Sequence, residues 1–121
     1  SSEQVKYINK SAHFIKNKLP DAKFYLWSND FTNLKKKDLK FDFNVVDTSV
    51  FKDNFELRAF NLFLLSSCKH FIVTPSTFNW WGAWLSKNHN KIVTRPSEDF
   101  FSLFKVNNTD FWPNNWIKIN E

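Results

Sequence analysis

The run Thr74-Pro75-Ser76-Thr77-Phe78-Asn79 sets two adjacent hydroxyls and a side-chain amide directly behind the apolar residues Phe71-Ile72-Val73. Pro75 has no N–H and pushes Thr74 toward an extended shape, so a strand should end there. Ser76 or Thr77 then stands where a helix is capped, and the amides from about Thr77 to Asn79 lack intrahelical partners. Such amides, at the positive end of a helix dipole, hold anions, and two hydroxyls add donors. The arrangement would cradle a phosphate without a glycine-rich loop. Plain capping accounts for the same residue types, because helices commonly begin with Ser, Thr, Asp or Asn.

Other polar positions offer less. Asn29-Asp30 follows the aromatic run Phe24–Ser28, where a carboxylate could meet a ligand hydroxyl or base, or simply make a turn. Arg95 is one of only two arginines, the other being Arg58, and it follows the apolar Ile92-Val93. It could grip a phosphate through both guanidinium nitrogens, or form a surface ion pair. His13, His70 and His89 are scattered, with no carboxylate or thiol at ligand spacing, so no metal is expected. Cys68 reads as an inert core thiol.

The elements that must position these groups follow from periodicity. Val5, Ile8, Ala12, Ile15 and Leu19 step by three and four, which predicts a helix that Ser2 can cap and Pro20 ends. Strands are predicted at 24–28 and 43–47, with the lysine-rich stretch between them as loop. Asp53 and Glu56 resemble a capping box for a helix running to about Cys68. Apolar residues on most faces of that helix predict burial. A strand at 70–74, a helix at 77–87 and a strand at 91–94 follow, then an irregular aromatic tail. Trp81, Trp84 and Leu85 share one helical face and read as core, with Gly82 allowing close packing on a sheet. Short apolar strands alternating with helices predict an α/β domain, a parallel sheet flanked by helices. Ligands of such sheets sit off the carboxyl ends of the strands.

The whole chain agrees with one domain. It has 121 residues, 42% hydrophobic and 24% charged, with fifteen Phe among its 19% aromatics. No run is long and apolar enough to span a bilayer. One cysteine rules out a disulfide framework and points to a reducing, cytoplasmic compartment, with association to a membrane surface left open. The net charge of +5 is spread over scattered lysines, with 35–37 the one lysine run. That scatter argues against nucleic acid, and a mild excess suits a small anionic ligand. Methionine is absent, even at position 1, which suggests a segment of a longer chain.

The run from Asn61 to Val93, with Cys68-Lys69-His70 and Ser76-Thr77-Phe78-Asn79-Trp80-Trp81-Gly82-Ala83-Trp84-Leu85, closely resembles the C-terminal region of family 11 glycosyltransferases, the α-1,2-fucosyltransferases. Phe24–Asp30 is similar to that family's Phe-x-(Ile/Leu)-Phe-Ser-Asp-Asp, and Pro113–Ile119 to its closing Pro-x-x-Trp-x-x-Ile. Tyr7 also has its counterpart there. The resemblance covers essentially the whole chain. It implies a Rossmann-like domain, the C-terminal, nucleotide-sugar-binding half of a GT-B-type enzyme. Such an enzyme moves fucose from GDP-fucose to a galactoside hydroxyl, with inversion and without metal or other cofactor. The implied donor contacts are Ser76, Thr77 and Phe78 on the diphosphate, Ser28, Asn29 and Asp30 along the same cleft, and Asn61; Arg95 joins them on the strength of its place after the last strand.

Three positions depart from the family. Asn29 replaces an Asp, Asn79 a Ser, and Asn61 stands where many members carry an acid. An amide oxygen accepts only one of two guanine N–H bonds that a carboxylate would take, and an unpaired buried donor costs about 1–3 kcal/mol. The family's His-x-Arg segment, which supplies a cation to the departing diphosphate, lies N-terminal to this region and has no match here. The general base is expected in the same missing N-terminal domain. The alternative is a non-catalytic relic or binding module that keeps the fold.

Overall fold

The structure is a computed structural model and describes residues 2–28, 38–48, 54–74, 77–97 and 112–119. Helix α1, Ser2–Lys18, leads to strand β1, Phe24–Ser28, and then β2, Phe43–Asp47. Helix α2, Phe55–Ser66, is followed by β3, Phe71–Ile72, and helix α3, Thr77–Leu85. Strands β4, Val93–Arg95, and β5, Ile117–Lys118, complete the described elements. The strands form two parallel sheets, one ordered β1-β2 and one ordered β3-β4-β5. The architecture is therefore α/β with parallel sheets flanked by helices. None of the described helices is long and apolar enough to cross a membrane.

The 3.6-residue stripe of α1 does what its period predicts: Tyr7, Ile8, Ala12 and Ile15 are buried. Tyr7 and Ile8 join Leu39, and Leu26, Phe43, Ile72 and Ile119 pack on that cluster, so α1 covers strands of both sheets. A second cluster lies on the other face of the strands. Leu65, Phe71, Val73, Ala83 and Val93 form it with Trp112 and Trp116, while Trp27, Cys68, Phe78 and Trp80 pack against it. Burial pushes the Cys68 thiol up, consistent with an unreactive core thiol.

Several local expectations are corrected. Asn54, not Asp53, caps α2: its side chain accepts the Leu57 N–H at 2.8 Å, and Asp53 lies outside the described residues. Helix α2 is not buried all round; Leu65 is its buried residue, while Phe55, Phe60 and Phe63 are exposed. Trp81, Trp84 and Leu85 are also about half exposed, so the shared face points outward. The core side of α3 is Trp80 and Ala83 instead. Apolar residues all round a helix do not say which face meets a neighbour.

Gly82 serves helix-on-helix packing, not helix-on-sheet. A Cβ there would meet Leu65 Cδ2 and come within 2.7 Å of Leu65 Cγ. Helix α3 stops at Leu85, two residues early, where Lys91 reaches back. Its Nζ donates to the carbonyls of Ala83 at 2.8 Å and Ser86 at 3.1 Å, placing a cation on the negative helix end. The tail is not wholly irregular, since Ile117 and Lys118 pair with Thr94 and Arg95. A strand of two residues carries too little period to be read from sequence.

His70 marks the entry to β3. The Ile92 N–H donates to its Nδ1 at 2.8 Å, tying the β3 start to the β4 start. Burial, then the neighbouring Lys69 charge, lowers the His70 pKa. The unfolded chain therefore binds the proton more readily, and stability is complete above the unfolded value of about 6.5 and falls on acidification. The melting temperature should be level from about pH 8 to 7 and drop below about 6.5. His70→Asn, which keeps an acceptor that does not titrate, should lessen that drop in a thermal-unfolding series against pH.

Candidate functional site

Parallel pairing puts the carboxyl ends of β3 and β4 side by side, with Phe71 opposite Val93 and Ile72 opposite Thr94. Helix α3 begins at Thr77, three residues after Thr74. The expected strand-to-helix handover is therefore present, with the positive end of α3 at the carboxyl edge. Asn79 reinforces it. Its Nδ2 donates to Thr74 Oγ1, bracing the first turn of the helix against the end of the strand across Pro75 and Ser76. This strut, carried by one of the residues that depart from the family pattern, is what sequence reasoning missed. The spacing of five between a hydroxyl and an amide was its only signal.

On the strand side, Tyr7 secures the same edge. Its buried hydroxyl donates to the Val73 carbonyl at 2.6 Å and lies 3.3 Å from Thr94 Oγ1. Tyr7 and Thr94 are both 0% exposed, so these groups are shielded from competing water. One phenol from α1 thus spans the ends of β3 and β4.

The expected donor contacts fall in different places. Ser76, Asn29 and Asp30 lie outside the described residues, and of Thr77 and Ser28 the backbone is described. Phe78 packs its ring on the core cluster, so what it can offer a ligand is its N–H at the helix start. Asn61 is drawn to the end of β1: its Oδ1 accepts the Trp27 indole N–H at 2.8 Å. That acceptor is committed to an indole, the partner a half-buried Trp N–H requires. Ser28 follows Trp27 directly, so Asn61 and the end of β1 are neighbours.

Arg95 ends β4 at the same edge as Thr74, but its guanidinium is engaged. It lies over the Trp112 ring, 5.4 Å from the centroid, and Nη1 donates to the Pro96 carbonyl at 3.1 Å. Trp112 is itself anchored in an indole ladder. Trp112 and Trp116 centroids are 5.9 Å apart, Trp116 and Trp80 5.6 Å, and Trp80 stacks on Trp84 at 5.4 Å. The tryptophan-rich block therefore fixes α3, the tail and Arg95 relative to one another.

A groove of about 620 Å³ lies elsewhere, between α1 and the amino ends of β1 and β2. It is lined by Asn9, His13, Lys16, Phe24, Phe41 and Phe43 among others, and Lys16 Nζ already donates to the Ala22 carbonyl. The chemistry favours the carboxyl edge instead, where helix-start amides and strand ends converge. Among the described residues, no three His, Cys, Asp or Glu side chains gather as metal ligands would.

Parallel strands whose carboxyl edge meets a helix start define an α/β domain of the kind that takes ligands at that edge. The chain belongs to glycosyl transferase family 11, whose pattern matches residues 2–120. It is similar to an alpha-1,2-colitosyltransferase of Escherichia coli, 27% identical over 94% of this chain and 38% of that protein. It is also similar to the O-antigen biosynthesis glycosyltransferase WbnK of Escherichia coli, 43% identical over 49% of this chain and 20% of WbnK. The chain thus spans well under half the length of either relative. No solved structure matches it significantly.

Proposed function

We propose that these residues form the nucleotide-sugar-binding part of an inverting glycosyltransferase that moves fucose from GDP-fucose to a galactoside hydroxyl in α-1,2 linkage. The observation that carries this reading is the start of α3 at the carboxyl edge, braced by Asn79 and Thr74 and matched by the family over residues 2–120. The donor diphosphate would lie against the amides from Thr77 to Asn79, with the hydroxyls of Ser76 and Thr77 as further donors. In the transfer, the acceptor oxygen attacks the anomeric carbon from the face opposite the diphosphate. The bond from that carbon to the phosphate oxygen breaks, and charge gathers on the diphosphate, toward the helix dipole. The acceptor proton passes to a base outside these residues, in the N-terminal half of a GT-B-type enzyme.

The colitosyltransferase, aligned over almost the whole chain, favours a second reading of the sugar alone. In it, colitose replaces fucose and the rest of the site is unchanged. Thermal unfolding of the full-length protein with GDP, UDP and ADP tests the shared part: GDP should raise the melting temperature, and the other two should not. No shift with any nucleoside diphosphate would sink both readings. Transfer assays with the guanosine diphosphate donors of fucose and colitose then decide the sugar. GDP binding without transfer from either donor leaves a binding module in place of an enzyme.

A further inference from the structure

Strands β1 and β3 lie in one layer without pairing. Leu26 of β1 and Ile72 of β3 both pack on the α1 cluster, while Trp27, Phe71 and Val73 pack on the opposite cluster. Two strands that share a helix on each face belong to one sheet plane. Yet among the described residues β1 pairs only with β2, and β3 only with β4. Strand directions agree as well. The last turn of α1 sits beside the turn into β1 through Lys16 and Ala22, so α1 runs back along β1. Its early turn reaches the carboxyl end of β3 through Tyr7 and Val73. Hence β1 and β3 run the same way.

The edge of β3 that faces away from β4 is defined by its amides. Those of Phe71 and Val73 donate to Ile92 and Thr94 on the β4 side. The amides of Ile72 and Thr74, one residue out of phase, point to the other side. A strand edge flanked by helices on both faces leaves backbone groups that need partners.

We propose that the polypeptide segment leading into α1 supplies a parallel strand that fills the slot between β1 and β3. Handedness selects this source. Crossovers between parallel strands are right-handed in about 98% of cases, so the face on which a helix lies reports the direction of its step. Helices α2 and α3 pack together on the Leu65 cluster, and each leads from one strand of the order β1-β2 or β3-β4-β5 toward β3 or β4. Helix α1 lies on the opposite face, over Leu26 and Ile72. It therefore steps the opposite way, arriving at β1 from a strand on the β3 side. The completed order is β2-β1-new strand-β3-β4-β5, a doubly wound sheet whose direction of winding reverses at the new strand. Its carboxyl end emerges between the ends of β1 and β3. The relatives are long enough to contain such a segment, since the colitosyltransferase alignment covers 38% of that protein.

Amide hydrogen exchange on the full-length protein tests the slot directly, independently of any nucleotide. Ile72 and Thr74 should exchange as slowly as Phe71 and Val73, at least a hundredfold slower than an open edge. Rapid exchange at Ile72 and Thr74 beside protected Phe71 and Val73 overturns the proposal. Replacing the residues just before α1 with Gly and Ser should abolish that protection; its survival would mean that another segment fills the slot. Protection that appears only as the protein dimerises would assign the slot to a second copy and overturn it too. Ile72→Pro should cost far more melting temperature than Ile72→Ala, because a proline is tolerated only where the N–H faces solvent.

Discussion

Ser76→Ala combined with Thr77→Ala should weaken GDP binding to the full-length protein by about a hundredfold or more. Each hydroxyl bond to a charged phosphate contributes about 1.5–3 kcal/mol, and every 1.4 kcal/mol is about tenfold in affinity. Ser76 immediately precedes the first residue of α3 in sequence, where its residue type also suits a cap. Losing that cap costs about 1 kcal/mol of stability on its own account. The measurement is therefore a dissociation constant by titration calorimetry at a temperature where both proteins are folded. Ser76→Gly with Thr77→Ala provides the control, because glycine caps nearly as well as serine while offering no hydroxyl. If the double alanine variant binds GDP as the parent does, the diphosphate does not lie at the start of α3.

Removal of the Tyr7 side chain should be the most damaging single change among the described residues. Tyr7 is 0% exposed and joins α1 to the ends of β3 and β4. Tyr7→Ala should cost about 3–5 kcal/mol, the usual loss for a large buried ring. Tyr7→Phe keeps the ring but leaves the Val73 carbonyl without its donor, which should cost about 1–3 kcal/mol. Denaturant unfolding of the three proteins separates packing from hydrogen bonding. A phenylalanine variant as stable as the parent would mean that the hydroxyl contributes nothing net. Because Val73 immediately precedes Thr74 and its bond to Asn79, the phenylalanine variant should also bind GDP somewhat less tightly.

The order of elements was legible because it rests on local pattern. The stripe from Val5 to Leu19, the aromatic run at 24–28 and the break at Pro75 each predict their element from neighbours within a turn or two. The same holds for the helix start at Thr77, where hydroxyls follow a proline that ends a strand. The apolar helices were misread for a related reason. Phe55, Phe60 and Phe63 on α2, and Trp81 and Trp84 on α3, are as hydrophobic as any core residue, yet they face outward. Composition tells how much apolar surface a helix carries, and only its neighbours decide which part is covered.

Local pattern alone carries the succession of helices and strands and the membership of the family. Tertiary structure alone decided the partners of the polar groups around the carboxyl edge. Trp27 finds Asn61 at a separation of 34 residues, and Tyr7 finds Val73 at 66. The Arg95 guanidinium lies over Trp112, in the tail whose strand was not predicted. The split between β1 and β3 belongs to the same class of fact. Hydrophobic period is written in adjacent residues, whereas a hydrogen-bond partner is chosen by where the chain returns in space. No pattern within one segment encodes that return.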